Sequence, residues 1–274
     1  MFNSRRTILA GQPIDASSSL SRGLILWVNF AEGAGRQIQD KSTTRPTSRS
    51  DIITVSTNSL YSGLGGNGIR LIASSSQYCD SNRDTQFNFS ESKWAVSICF
   101  RVVTGSTTYC LFGKQGAGNS GGWGVFILNT GDIQVVFKQN GLTSNAYIRH
   151  SSSTTLGDGK WHTVSISLTS SSVAGECDAQ IYVDGRLDQV APTSTTGSNC
   201  TASGVNLRIG ARESGNYFDG FIADARVWKR HLSLPEIAML SDTANIGLYK
   251  APNWLYVAAA AASGTNRKYS FIFG

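Results

Sequence analysis

GDGKWHTVSISL at residues 157–168, followed at 179–190 by AQIYVDGRLDQV, is the stretch on which the reading of this chain turns. Both segments have the short, Val/Ile/Ser-rich texture of strands. In the second, Asp184 and Gly185 stand between two extended runs, the strongest short-range signal for a two-residue hairpin. A strand and a hairpin at this spacing describe an antiparallel sheet.

Working outward, the same texture continues in both directions. WAVSICFRVV (94–103) alternates, with Trp94, Val96, Ile98, Phe100 and Val102 on one face and Ala95, Ser97, Cys99 and Arg101 on the other. GLILWVNF (23–30), GDIQVVFKQ (131–139), GVNLRIGA (204–211) and FIADARVWKR (221–230) read as further strands, broken by Gly, Ser, Asn and Asp. Many short strands with turn residues between them predict an all-β antiparallel sandwich. One helix is predicted, over LSLPEIAML (232–240): Ser233 can cap it, Pro235 fits its first turn, and Glu236 favours its N-terminal dipole. NSGGWG (119–124) and TSTTGSNCTASG (193–204) read as loops. GLGGNG (63–68) lacks the lysine and following helix of a phosphate-binding loop and reads as a turn.

Composition agrees. The chain has 274 residues, 40% of them hydrophobic and 15% charged, with 29 glycines; this excludes a disordered chain and suits a large single sandwich. It contains no apolar run of 18 residues, so no membrane-spanning helix is expected. The leader MFNSRRTILAGQPIDASSSL carries two arginines with no apolar run after them, so no secretory signal is read there. The net charge of +6 sits at the ends: residues 1–50 hold seven Lys/Arg against three Asp/Glu, and residues 243–274 hold three Lys/Arg and no acid. The body is left near neutral, which argues against a nucleic-acid partner. Of the five cysteines, Cys79, Cys99, Cys110, Cys177 and Cys200, none has zinc-ligand spacing. Reduced, buried thiols are the expectation; Cys177 and Cys200, which flank a strand and its return loop, are the pair for which a disulfide stays open.

In order, these segments resemble the laminin-G-like, concanavalin-A-like jelly-roll family over about residues 22–240. RGLILWVNFAEGAGRQIQDKS (22–42) is similar to its opening strand. Gly159, Trp161 and His162 match its Gly-x-Trp-His strand, and Tyr182, Val183, Asp184 and Gly185 its Tyr-Val-Asp-Gly hairpin. YFDGFIADARVWKR (217–230) resembles its closing segment. The resemblance implies an antiparallel jelly-roll β-sandwich with one short C-terminal helix. Where the family often has two acids before the closing arginine strand, this chain has Ala223 and Asp224. No clustered acids show hard-cation spacing, so neither metal nor cofactor is expected.

Some jelly rolls of this superfamily hydrolyse glycosides, which takes two carboxylates projecting from one strand, commonly as Glu-x-Asp-x-x-Glu. That string is absent. Asp184 and Asp188 come nearest, and Asp184 is the hairpin residue. The three histidines, His150, His162 and His231, are dispersed, and no Gly-x-Ser-x-Gly elbow occurs. A non-enzymatic protein is therefore expected. His162 is read as packing beside Trp161, and Trp27, Trp94, Trp161 and Trp228 as core. Trp123, with glycine on both sides, is the tryptophan expected to be exposed and able to stack on a sugar. Arg212, Glu213, Asn216 and Tyr217, in the loop at 212–217, offer a mixed polar and aromatic rim of the kind that sugar or protein sites often have.

Three parts result: an N-terminal arm (1–21), the jelly-roll domain (22–242) and a C-terminal arm (243–274). The C-terminal arm is dense in Trp254, Tyr256, Tyr269, Phe271 and Phe273, with Arg267 and Lys268 among them. Such aromatic surface must lie against something, expected to be another subunit or a second protein, the alternative being that the arm folds back as extra strands on its own sandwich. A polar leader and an aromatic tail around the fold resemble jelly-roll proteins carried by tailed phages. That resemblance implies a virion structural protein, foremost a capsid decoration protein, that binds neighbouring copies or the capsid shell as a homo-oligomer. The alternative is a lectin-like adhesin or a tail or fibre component, at the cell surface and facing glycans.

Overall fold

The computed structural model describes residues 17–30, 36–42, 52–56, 68–82, 85–88, 93–103, 107–116, 121–138, 147–153, 155–170, 177–192, 194–195, 204–213 and 215–241. Trp254, Tyr256, Arg267, Lys268, Tyr269, Phe271, Phe273 and Cys200 lie outside the described residues, as does the side chain of Cys177.

The strands follow in the order β1 (Leu24–Val28), β2 (Gln37–Gln39), β3 (Ile52–Val55), β4 (Ile69–Leu71), β5 (Cys79–Asp80), β6 (Ala95–Val103), β7 (Tyr109–Gln115), β8 (Gly122–Ile127), β9 (Ile133–Lys138), β10 (Tyr147–His150), β11 (Asp158–Ser170), β12 (Cys177–Val183), β13 (Arg186–Leu187), β14 (Ser194–Thr195), β15 (Arg208–Ile209) and β16 (Gly220–Trp228). Helix α1 (Leu234–Ser241) closes the described chain. The strands make two antiparallel sheets. One runs β1-β16-β6-β11-β12-β13, with β4 also paired to β16; the other runs β14-β10-β9-β8-β7-β15-β5-β3-β2. This is the two-layered antiparallel sandwich that the alternation predicts, in the jelly-roll form that the resemblance implies.

The core lies between the layers. Val96, Ile98, Phe100 and Val102 of β6 point inward, as their alternation requires, and meet Trp123, Val125 and Ile127 of β8 and Val135 and Phe137 of β9 in one buried cluster. Aromatic rings run through it: Trp94 packs on Trp123 at 5.0 Å and edge-on to Phe137 at 5.7 Å, and Phe137 on Tyr147 at 5.0 Å. Edge-on and tilted pairs suit the ring quadrupoles.

A second, smaller cluster forms on the outer face of the β6 sheet. There Leu24, Ala95, Tyr182 and Trp228 are covered by Leu232 and Ile237, next to and within α1, and by Leu20. The Trp228 indole N–H donates to Leu20 O at 2.7 Å. Leu20 falls in the segment 1–21 that reads as an arm, yet it is buried against the sheet. Helix α1 begins in a capping box: Glu236 Oε2 accepts from the Ser233 backbone N–H at 3.0 Å, and the ring of contacts closes with Arg230 at 2.8 Å. Burial pushes the Glu236 carboxyl up, but donation from Arg230 and Ser233 outweighs it and brings it down to about 2. No helix among the described residues is long and apolar enough to cross a membrane.

Candidate functional site

At the end of the β6 sheet away from α1, the outward side chains are neither small nor covered by the helix. Three cross-strand pairings set them in one row. Arg70 of β4 lies opposite Phe221 of β16, Phe221 opposite Arg101 of β6, and Arg101 opposite Trp161 of β11. Directly opposed residues in a sheet are within reach of one another, and here cation and aromatic alternate across four strands. The Arg101 guanidinium sits 4.4 Å from the centre of the Phe221 ring and 5.7 Å from that of Trp161; the Arg70 guanidinium is 5.3 Å from Phe221. All four side chains are half-buried.

The row borders a cleft of about 340 Å³, lined by Arg70, Arg101, Tyr109, Gly159, Asp219 and Phe221 among others. Arg70 pairs with Asp219 and also donates to Leu71 O and to Gly220 O. A bulge in β11 between Asp158 and Trp161 brings the ring into register with Arg101. The bulge is fixed by Asp158, whose carboxylate accepts from the Lys160 backbone N–H at 2.8 Å and from its ammonium at 2.7 Å. These bonds, the ammonium's first, hold Asp158 well below the usual carboxylate range.

Trp161 and His162 are neighbours on one strand, so they fall on opposite sides of it. His162 does not pack on Trp161. Its Nδ1 lies 2.8 Å from Asp184 Oδ2 and its Nε2 3.1 Å from Asp158 Oδ1. With a carboxylate at each nitrogen, Asp184 foremost, its protonated form is favoured and its pKa rises. Asp184 is the hairpin residue, at φ 48°, and also accepts from the Thr163 N–H at 2.8 Å. Trp161 is likewise no part of the core, whereas Trp27, Trp94, Trp123 and Trp228 are fully buried.

The reading of Trp123 as an exposed stacking residue is corrected. Its ring is buried against Trp94 and Phe112, and its N–H donates to Phe87 O at 3.0 Å. The flanking glycines answer to crowding. A Cβ on Gly122 would stand 1.9 Å from Lys114 O, and one on Gly124 2.5 Å from the Phe126 ring.

Arg212, Glu213, Asn216 and Tyr217 come together in the loop from β15 to β16. An Arg212–Gly215 bridge closes the loop, and Asn216, at φ 55°, donates to Thr108 O at 3.0 Å. The carbonyls of Arg212 and Glu213 accept from Arg208, whose guanidinium lies 4.4 Å over Tyr78 and pairs with Asp80 at 3.2 Å. Tyr78 stacks on Tyr217 at 6.1 Å. Two residues later the same segment supplies Asp219 and then Phe221 to the cleft. Loop and row are therefore continuous. Phe221 and Arg101 were legible only as strand residues, and nothing local signals their pairing with Arg70 and Trp161.

Asp224, the acid that remains where the family often has two, accepts twice from Arg226, at 2.7 and 2.8 Å, and from the Trp27 N–H at 3.2 Å. Among the described residues no group of His, Cys, Asp or Glu is placed to hold a metal ion.

A two-layered antiparallel jelly roll with an aromatic and cationic outer face defines the class. The chain belongs to the Concanavalin A-like lectin/glucanases superfamily, whose laminin-G-type sequence profile matches residues 73–238. No curated protein matches it. Among solved structures it is similar to the binding domain of botulinum neurotoxin DC in complex with SialylT (16% identity, TM-score 0.57, covering 82% of this chain and 52% of that one). It is similar also to that binding domain in complex with rat synaptotagmin II (16%, 0.57, 83% and 53%) and to the receptor binding domain of botulinum neurotoxin D (15%, 0.56, 82% and 53%). The chain spans about half the length of these structures, and at such identities the likeness is one of fold.

Proposed function

We propose that the chain is a non-enzymatic binding module whose ligand is a saccharide, held at the cleft beside the Arg70–Phe221–Arg101–Trp161 row. The observation that carries this reading is the row itself. Half-buried aromatic rings offer an apolar wall to the C–H face of a sugar, and the interleaved guanidinium groups offer hydrogen-bond donors to its oxygens. Few convergent polar groups on an apolar floor are what a small-ligand site needs. Glycoside hydrolysis asks for a pair of carboxylates, and Asp219 is the one carboxylate lining the cleft among the described residues. A fold shared with binding domains solved in complex with SialylT and with synaptotagmin II supports a binding role. The test is a glycan array read with the wild-type chain and with Phe221→Ala. Selective saccharide binding that Phe221→Ala abolishes, with no reducing sugar released, is the expected result; binding to no saccharide overturns the reading.

A second reading, a virion structural protein such as a capsid decoration protein, is favoured by the sequence of the C-terminal segment, where Trp254, Tyr256, Tyr269, Phe271 and Phe273 accompany Arg267 and Lys268. Deleting residues 250–274 tests it. A truncated chain that still melts cooperatively but no longer assembles or binds particles supports it, and one that assembles normally refutes it.

A further inference from the structure

Resting on the carbohydrate-binding reading, we propose that the cleft selects a saccharide bearing a carboxylate and that Arg101 receives that carboxylate. The cleft lining carries two guanidinium groups and one carboxylate. Arg70 is committed, since Asp219, Leu71 O and Gly220 O take its donors. Arg101 is not. Among the described residues its guanidinium makes no hydrogen bond and no ion pair; it lies over the two flanking rings.

A half-buried cation has lost part of its hydration, and neighbouring π faces restore a part of that loss. The remainder is recovered when an anion arrives from outside. The rings also fix the orientation of the guanidinium, so its N–H groups are pre-arranged along one edge of the plane. That edge matches a planar carboxylate, which accepts two parallel bonds from the fork. Because little side-chain freedom is left to lose, the interaction starts from an ordered donor. Asp219 works against anions, but Arg70 neutralises it in place, so the residual charge of the described lining is that of Arg101.

The experiment compares acidic saccharides with their neutral counterparts on the intact chain: oligogalacturonate against its methyl ester, sialyllactose against lactose, and a hyaluronan oligosaccharide against its carboxyl-reduced form. The wild-type chain is expected to bind at least one acid and to prefer it over its neutral counterpart by about tenfold or more. Arg101→Gln, with its melting temperature checked, is expected to lose that preference, so that acid and neutral forms bind alike. Arg101→Lys, which keeps the charge but not the fork, is expected to recover part of it. Equal binding of acid and neutral forms, or a preference unchanged in Arg101→Gln, overturns the proposal while leaving the carbohydrate reading intact. Binding to no saccharide overturns both.

Discussion

The hydroxyl of Tyr147, on β10 of one sheet, is pinned to the backbone of Ala179, on β12 of the other. It accepts from the Ala179 N–H at 3.0 Å and lies 3.4 Å from the Ala179 carbonyl, to which it donates. Tyr147 is 1% exposed and Ala179 fully buried, so water cannot substitute for either bond. Removing the hydroxyl leaves a buried backbone donor without its partner. Tyr147→Phe should therefore destabilise the fold by about 1–3 kcal/mol although the ring and its packing on Phe137 remain. Chemical denaturation of the two proteins measures this; an unchanged midpoint would show that the pin contributes nothing.

The two carboxylates around His162 make stability depend on pH in a definite direction. The His162 pKa is raised in the fold, by Asp184 first, so its contribution is fully present below the unfolded value of about 6.5 and is lost as pH rises through the folded one. For Asp184, burial acts upward but donation from His162 and Thr163 wins, leaving it lowered; its part is present above about 3.9 and lost on acidification. The melting temperature of the wild type relative to His162→Gln should be highest between about pH 4 and 6.5 and converge toward it in alkali. A difference between the two that stays flat from pH 5 to 9 contradicts this assignment.

Two tryptophans that read alike in sequence should behave differently. Trp228 is fully buried beneath Leu232 and Ile237, and Trp228→Ala should cost about 3–5 kcal/mol. Trp161, half-buried on the outer face, should cost no more than about 1–2 kcal/mol when replaced by Ala. Its loss should fall instead on saccharide affinity. Thermal melts and binding isotherms on the pair separate the two roles, and equal destabilisation would refute the placement of Trp161.

Burial pushes the thiols of Cys79 and Cys110 far above their ordinary range. A thiolate is the reactive species, so both should resist iodoacetamide at pH 8 in the native protein and react once guanidinium unfolds it. Peptide mapping by mass spectrometry reads each position separately. Rapid native labelling of either would mean that its strand opens readily.

Much of this fold is legible in the chain because alternation is a local property. Val96, Ile98, Phe100 and Val102 face inward, and Arg101 outward, by period two alone. Asp184 and Gly185 dictate a turn from their own backbone preferences, and Ser233 with Glu236 states where the helix starts. The class of fold follows from these, as does the separation of Arg101 from the core. What the tertiary structure decided is register and crowding. The row Arg70–Phe221–Arg101–Trp161 draws on strands up to 151 positions apart in the numbering, from Arg70 to Phe221, and its alignment depends on a bulge at 158–161 that shifts one strand against another. Trp123 is the counterpart error: glycines beside a ring suggest exposure, but here they exist because Lys114 and Phe126 leave no room for a Cβ. Local pattern tells which way a side chain points. Which side chains meet it is set by the pairing of distant strands, and a sequence read along its own length does not contain those distances.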